Sequence, residues 1–273
     1  MIDMVVILPV IWTAALVFAS ELPLISIGFM LTDLTAKVPN FAHGTYAGVG
    51  IYLIFTISKI LKYSPYVGFS LAFIVGGITS VLIYKLAIGV LQKMGGGTVV
   101  LTISTLAIQI FLTASIQIYA YWLLLKYNKY TQLFRLKEYD FQFAGFPGIF
   151  IVSIGLSLAT VIVFHYVLTR TRIEMAMRAT AEDPQLASIL GININNIQLY
   201  NWFLTGGIAC LAGAMIPLWF MSTPNYWALI ITSIMAGNLL GGFNNIYGAI
   251  LGGAIVGISE IMLTTWGQAT RGA

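Results

Sequence analysis

The sequence predicts an all-α membrane protein whose helices cross the bilayer several times. Of its 273 residues, 59% are hydrophobic and 8% are charged, whereas a soluble domain carries about 25% charged residues. The mean hydropathy is +0.92. Thirteen Lys and Arg and nine Asp and Glu side chains are too few to cover a soluble fold of this length, so the apolar surface belongs in lipid.

Apolar runs define the predicted membrane helices. A spanning helix needs about 20 mostly apolar residues, because the bilayer core is about 30 Å thick and each residue rises about 1.5 Å. Runs of sufficient length lie at 4–20, 66–91, 98–125, 148–169, 199–221 and 243–266. Shorter runs lie at 22–38, 45–60 and 227–240. We predict a single transmembrane domain over residues 1–273, with about eight transmembrane helices and room for one re-entrant segment.

Two polar segments interrupt the apolar runs. Residues 126–147 mix Lys, Tyr, Glu and Asp with Gly145 and Pro147 and are predicted to form a solvent-facing loop. Residues 170–198 form the second polar segment. When each candidate run crosses once, six Lys and Arg residues fall on each side. The positive-inside rule therefore leaves the orientation of the chain open.

Composition and motifs argue against several functions. The net charge of +4 is scattered between apolar runs and forms no basic face for nucleic acid. The single cysteine, Cys210, can form no disulfide within the chain and no cysteine metal site. Gly95-Gly96-Gly97 lacks the following Lys of a phosphate-binding loop. Paired carboxylates or a nucleophile beside a base are not found at convincing spacing, so we do not predict an enzyme.

The segment 170–193 contains a predicted short amphipathic helix. Asp183 can accept hydrogen bonds from free backbone N–H groups at a helix start, and Pro184 suits the first helical position. Leu186 and Leu190 share one face with Ile189, and Gly191 supplies a left-handed stop. From the residues alone, this helix either lies on the lipid surface or docks a partner protein.

The segment Asn40-Phe41-Ala42-His43-Gly44 places polar groups between apolar helices. Unpaired polar groups are costly in hydrocarbon, so this segment is expected to face the bundle interior or water. Pro39 predicts a helix boundary near 38–40. His43 is either a structural hydrogen-bonding residue, a proton carrier or a metal ligand. Metal binding is disfavoured because no Cys lies nearby and His165 is the other histidine of the sequence, and the structural role is favoured.

A third segment, 237–253, is rich in glycine and asparagine. Close helix packing explains Gly248 and the later glycines but not Asn238 or the pair Asn244-Asn245. Asn238 has Gly242 four residues on, as Asn40 has Gly44, which is consistent with a weak internal repeat of interrupted helices. Separately, Asp33 and Lys37 stand four residues apart and are predicted to form an ion pair on one helix face.

These three segments resemble, in the same order, motifs of the membrane permeases of branched-chain amino-acid ABC transporters. Residues 170–193 are similar to the cytoplasmic signature that docks into an ATPase subunit, with Glu174 where the family commonly has Gly. Residues 40–44 resemble a motif near the family's N-terminus, which Pro39 precedes in place of a β-branched residue. Residues 237–253 resemble its C-terminal signature, with Asn244-Asn245 where Gly-Ser is usual.

The resemblance implies a permease subunit that imports leucine, isoleucine and valine across the cell membrane by alternating access. Some members carry urea or short amides instead. It also implies a second permease, two ABC ATPase subunits that use the ATP, and an extracytoplasmic solute-binding protein, with no cofactor or metal in this chain. Segment 170–198 would then be cytoplasmic and loop 126–147 extracytoplasmic. An ATP-independent channel or secondary transporter is the alternative, but such a protein would usually place a row of ionisable groups inside the membrane.

The predicted functional residues fall in two groups. The ATPase-coupling residues are Arg172, Arg178, Glu182, Asp183, Pro184, Leu186, Ala187, Leu190 and Gly191. The translocation-path residues are Asn40, Phe41, His43, Gly44, Asn238, Gly241 and Gly242.

Overall fold

The computed structural model describes residues 2–143, 145–242 and 245–271, and most of them are helical. The helices are α1 (Ile2–Ala36), α2 (His43–Phe55), α3 (Pro65–Ile83), α4 (Gly89–Lys93), α5 (Thr98–Tyr127), α6 (Gly148–Arg170), α7 (Arg172–Glu182), α8 (Pro184–Ile189), α9 (Ile194–Trp219), α10 (Trp227–Gly241) and α11 (Ile246–Arg271). A π-helical turn at Thr56–Ile60 extends α2, and another at Tyr84–Ile88 joins α3 to α4. A 3₁₀ turn at Lys137–Tyr139 precedes a hairpin of β1 (Gln142–Phe143) and β2 (Phe146–Pro147), which pair antiparallel with Phe143 opposite Phe146.

Six helices in the described part of the chain are long and apolar enough to cross a membrane. They are Val10–Thr35, Pro65–Lys93, Thr98–Tyr127, Gly148–Val167, Ile194–Trp219 and Ile246–Trp266. Helix α2 with its π-turn and the shorter helix α10 complete the bundle. The all-α polytopic class is confirmed.

The predicted runs 4–20 and 22–38 are one continuous helix, α1, and the boundary expected between them was wrong. Glu21 and Pro23 stand where the apolar pattern is interrupted, but both are buried in the bundle. Pro23 removes one helical hydrogen bond, but α1, buried among the surrounding helices, continues through it. Tertiary burial therefore overrides the local break signal.

The centre of the bundle is formed by α1 and α9. In their apolar windows 83% and 89% of residues are buried, against 22% in α11 and 28% in α5 and α6. Helix α9 packs on α1, α2 and α3, whereas α11 packs on α1 and α10. The outer helices present exposed apolar side chains such as Ile110, Phe111 and Ile118. A surface of this kind suits lipid or another membrane subunit.

Glycines allow the central helices to approach closely. A Cβ atom on Gly213 of α9 would lie 2.1 Å from the carbonyl oxygen of Ala47 in α2. A Cβ atom on Gly76 of α3 would lie 2.2 Å from the Cβ atom of Cys210. Small residues at such crossings are typical of membrane helix packing, where backbones meet directly. Cys210 is buried at this crossing, where a small side chain fits.

The two polar segments lie at opposite ends of the bundle. Loop 126–147 caps one end, where the backbone N–H of Leu136 donates to Pro217 O near the end of α9 (2.6 Å). The Tyr52 hydroxyl, late in α2, donates to Thr131 O in the same loop (2.7 Å). At the other end, Lys37 Nζ lies 3.5 Å from the carbonyl oxygen of Glu182 at the end of α7. Lys37 therefore does not form the predicted ion pair with Asp33, because α1 has ended and Lys37 takes a left-handed φ of 51°.

Candidate functional site

The polar segment 170–193 folds as two short helices, α7 and α8, of which the sequence predicted the second. The Leu186 N–H donates to Asp183 Oδ1 (3.0 Å), so Asp183 caps α8 as predicted. Gly191 has a φ of +82°, and the Ile192 N–H donates to Ala187 O (3.0 Å), which is a left-handed helix stop. Local sequence signals alone therefore define this helix.

The exposed face of α8 is apolar. Leu186, Ile189 and Leu190 are 54%, 81% and 70% exposed, respectively. Ala187 is 1% exposed, so this predicted coupling residue faces the protein's own bundle. Glu182 and Asp183 are exposed beside it. The backbones of Arg172, Arg178 and Pro184 lie in α7 and α8, but the side chains of these three residues, like that of Glu174, lie outside the described part of the structure.

The predicted break near Pro39 is confirmed, since α1 ends at Ala36 and α2 begins at His43. Asn40 organises the connection. Its Oδ1 accepts from the Ala42 N–H (3.1 Å), and its carbonyl oxygen accepts from the His43 N–H (3.0 Å). Asn40 is buried, so the irregular backbone is enclosed by protein, as membrane proteins require.

His43 is a buried structural histidine. Its Nε2 atom donates to Ile25 O of α1 (2.9 Å), which leaves Nδ1 without a hydrogen-bond partner among the described residues. The ring makes edge contacts with Phe29 and Tyr46 at centroid distances of 5.9 and 6.0 Å. A Cβ atom on Gly28 would lie 2.8 Å from the His43 ring, so α1 has a glycine where the imidazole packs. His43 therefore fixes the first turn of α2 against the middle of α1.

Phe41 and Gly44 complete the first interrupted segment. The Phe41 N–H donates to the hydroxyl of Thr105 in α5 (3.3 Å). A Cβ atom on Gly44 would lie 3.2 Å from Trp227 O of α10. The segment therefore contacts α1, α5 and α10 at once, so a movement of any of these helices would displace it.

The second interrupted segment is the turn between α10 and α11. Gly241 and Gly248 bring the two helices into backbone contact, since a Cβ atom on Gly241 would lie 1.9 Å from Gly248 O. Gly242 follows with a φ of +85°. Asn238 is buried and its Nδ2 donates to Ile234 O (2.9 Å), whereas Asn244 lies outside the described residues.

The structure does not support the weak internal repeat. Asn40 precedes its helix and organises a turn, whereas Asn238 lies inside α10. The first segment approaches α10 at Gly44, which lies against the first half of that helix. Asn238, Gly241 and Gly242 lie in and just beyond the last part of α10. The predicted path residues therefore form two separate groups.

Sequence reasoning missed two buried amides, Gln198 and Asn201, near the start of α9. The Gln198 Nε2 donates to Thr35 O (3.1 Å), and the Asn201 Nδ2 donates to Leu31 O (3.1 Å). Their signal in the sequence is a pair of amides three residues apart at the edge of an apolar run. Nothing local indicates that their partners lie on α1.

Glu21 is a third buried polar residue that was missed. Neither of its carboxylate oxygens has a hydrogen-bond partner among the described residues. Glu260 on α11 accepts a hydrogen bond from Ser233 (2.5 Å). Tyr226 directly precedes α10. Burial raises the pKa of its phenol, and the Glu21 and Glu260 carboxylates raise that pKa further. No group of three or more metal-ligating side chains is found among the described residues.

A bundle of apolar helices with an interrupted segment enclosed inside it, and an exposed amphipathic helix at one end, is the architecture of a multi-pass membrane transport protein. Residues 11–272 match the family described as "Branched-chain amino acid transport system / permease component". The chain belongs to this family, and it is a permease of the cell membrane.

Relatives extend over most of the chain. It is 36% identical over 250 residues to a probable branched-chain amino acid transport permease protein LivH of Methanocaldococcus jannaschii, covering 92% of this chain and 79% of the relative. It is 26% identical over 267 residues to BraD, a high-affinity branched-chain amino acid transport system permease protein of Pseudomonas aeruginosa, covering 90% and 82%. A fructose import permease protein, FrcC of Rhizobium meliloti, is 30% identical over 127 residues, covering 44% and 35%. No solved structure matches the chain.

Proposed function

We propose that this chain is one permease subunit of an ABC importer for leucine, isoleucine and valine. The names of the LivH and BraD relatives, which align over nine-tenths of the chain, support this solute class. The resemblance to FrcC covers less than half of the chain, so it supports a sugar solute less strongly. Urea or short amides are the second candidate solutes, because the family resemblance extends to both.

The observation that carries the coupling proposal is the exposed face of α8. Leu186, Ile189 and Leu190 stand out from the bundle at one end, on a helix of six residues. So short a helix binds lipid weakly, because binding strength scales with buried apolar area. A groove in an ATPase subunit would cover these side chains, as amphipathic helices dock in apolar grooves. This docking makes the α7–α8 end cytoplasmic and loop 126–147 extracytoplasmic.

The proposed complex contains a second permease, two ATPases and an extracytoplasmic solute-binding protein. ATP is used by the ATPases, since this sequence has no phosphate-binding loop. Docking at α8 would move the interrupted segment around Asn40, Phe41, His43 and Gly44. The solute would pass between the two permeases, and the turn at Gly241 and Gly242 would open together with that segment. Ala187, being buried, supports α8 and does not contact the ATPase.

Radiolabelled leucine uptake tests the solute and the energy source together. Cells carry this chain with its neighbouring transport genes, with an intact or an inactivated ATPase, and urea uptake is measured in parallel. Leucine uptake that requires the ATPase is expected. Uptake of urea alone would replace the solute, and uptake that is independent of the ATPase would refute the ABC mechanism.

Co-purification tests the docking face. Ile189→Asp and Leu190→Asp are each expected to abolish recovery of the ATPase, because a buried unpaired carboxylate is costly at an interface. The matched control is Leu133→Asp, an exposed leucine in the loop at the other end of the bundle. Normal recovery of the ATPase with both α8 variants would refute docking at α8.

A further inference from the structure

The last turn of α1 carries a backbone acceptor that its own helix cannot satisfy. In a helix the carbonyl of Thr35 would accept from the N–H of residue 39, but residue 39 is proline and has no N–H. Gln198 of α9 fills this role, because its Nε2 donates to Thr35 O (3.1 Å). Both side chains are buried, so water cannot replace this hydrogen bond.

Asn201 holds the same turn through two further hydrogen bonds. Its Nδ2 donates to Leu31 O (3.1 Å) and to Thr35 Oγ1 (2.5 Å). Gln198 and Asn201 are three residues apart and therefore share one face of α9. The end of α1 is thus bound to α9 by directional contacts as well as by apolar packing.

The bound part of α9 lies directly after the proposed docking helix. Three residues, 191–193, follow Leu190, and Asn193 caps α9 by accepting from the Asn196 N–H (3.1 Å). At about 1.5 Å per residue, Gln198 lies about 6 Å from the first residue of α9, and Asn201 about 10 Å. A displacement of α8 therefore reaches both amides through less than three turns of helix.

The end of α7, which precedes α8 in the sequence, also contacts the end of α1. Lys37, the first residue after α1, directs its Nζ at Glu182 O, the last residue of α7 (3.5 Å). From Lys37 the chain enters the interrupted segment at Asn40 to His43. The end of α1 therefore contacts both α7 and α9, the helices that flank α8 in the sequence. The chain then continues from α1 directly into the predicted translocation path.

The side-chain amides of Gln198 and Asn201 are also only partly hydrogen-bonded. Gln198 Oε1 and Asn201 Oδ1 are buried and have no partner among the described residues. Free acceptors leave each amide able to bond to N–H groups that become available when the last turn of α1 shifts.

We propose that Gln198 and Asn201 are positioning residues that transmit movement of the α7–α8 docking segment to the interrupted segment at residues 40–44. The inference rests on the proposed ATP-driven import. In this arrangement the amides of α9 pull or release the end of α1, and α1 carries Lys37 and Asn40 with it. Neither amide needs to touch the solute or the ATPase.

The test compares two rates in the same proteoliposomes. The complete complex, with both permeases, the ATPases and the binding protein, is reconstituted, and radiolabelled leucine uptake and ATP hydrolysis are measured together. Gln198→Met keeps the side-chain length and removes the donor, and Asn201→Leu does the same for Asn201. We expect leucine transported per ATP hydrolysed to fall at least about fivefold in each variant, the lower end of allosteric coupling factors.

The matched control is Gln117→Met. It removes a hydrogen bond from the Gln117 Nε2 to Asn225 Oδ1 (2.7 Å), which is exposed and joins α5 to the connection between α9 and α10. Its transport per ATP is expected to equal that of the unaltered complex. Gln198→Asn, which keeps a neutral amide donor on a side chain one methylene shorter, is expected to recover part of the ratio.

Three results would overturn the inference. Unchanged ratios in both amide variants would show that the contacts transmit nothing. A parallel fall of uptake and hydrolysis, or loss of complex assembly in both variants, would show a purely structural role. An unaltered complex that takes up no leucine, or does so without ATP, would refute the proposed function itself, and the unaltered sample alone distinguishes that case.

Discussion

A single methyl group added to Gly213 tests whether direct backbone contact holds α9 to α2. In Gly213→Ala the new Cβ atom would lie 2.1 Å from Ala47 O and 2.4 Å from Ala47 Cα. Ordinary contact begins near 3.4 Å, so the two helices would have to separate by roughly 1 Å. Backbone atoms cannot rotate out of the way as a side chain can.

Overpacking in a well-packed core costs about 1–3 kcal/mol, and Gly213→Ala should lie at the upper end of this range. Separating α9 from α2 also loosens the neighbouring crossing, where Gly50 meets Cys210 O. Alanine is the better helix former by about 0.5–1 kcal/mol, which offsets only part of the cost. The expected net loss is about 2 kcal/mol of unfolding free energy.

Thermal unfolding of the purified permease in detergent measures this loss. The matched control is Gly155→Ala in α6, where an added Cβ atom meets nothing within 4 Å. That variant should be as stable as the unaltered protein or up to about 1 kcal/mol more stable. Equal unfolding midpoints for Gly213→Ala and Gly155→Ala would refute the reasoning that α9 and α2 meet through their backbones.

Four further substitutions have defined expected outcomes. Asp183→Ala removes the cap of α8 and should weaken ATPase recovery in co-purification by several-fold, since a lost cap costs about 1 kcal/mol, whereas Asp183→Asn should restore it. His43→Ala should abolish leucine uptake while ATPase recovery is retained, because the first turn of α2 loses its bond to Ile25 O; normal uptake would remove His43 from the path. Gly242→Ala places a side chain at a φ of +85° and a ψ of 128°, outside the left-handed helical region, and should destabilise the protein by about 1–3 kcal/mol in thermal unfolding. Ala187→Arg buries a charge at a position that is 1% exposed and should reduce the amount of folded permease in the membrane, whereas a normal amount would show that Ala187 faces outward.

Features encoded by neighbouring residues were predictable from the sequence. The break after α1 follows from Pro39, and α8 follows from Asp183 at its start and Gly191 at its end. Each of these depends on a backbone preference or a cap that acts within a few residues. Long apolar runs likewise gave most of the membrane helices, since their length is set by bilayer thickness.

Features set by contacts between distant helices were not predictable. Glu21 and Pro23 mark a boundary in the local pattern, but burial between helices keeps α1 continuous. Lys37 was expected to pair with Asp33 four residues away and instead reaches Glu182 O, 145 residues along the chain. Ala187 is a small apolar residue that could belong to a docking face, yet its exposure depends on which side of α8 packs against the bundle. Only the packed fold supplies that information.

The continuity of α1 has a mechanical consequence for the proposed importer. A helix of 35 residues that ran as two separate spans would let one end move without the other. Because α1 is continuous, it links the Ile25 carbonyl, which accepts from His43, to the Thr35 carbonyl, which accepts from Gln198. About 15 Å of regular helix separates these two carbonyls, so the first turn of α2 and the start of α9 are fixed to the same rigid element. Movement that begins at the docking segment would therefore reach the interrupted segment by two routes, through Lys37 and along α1 itself.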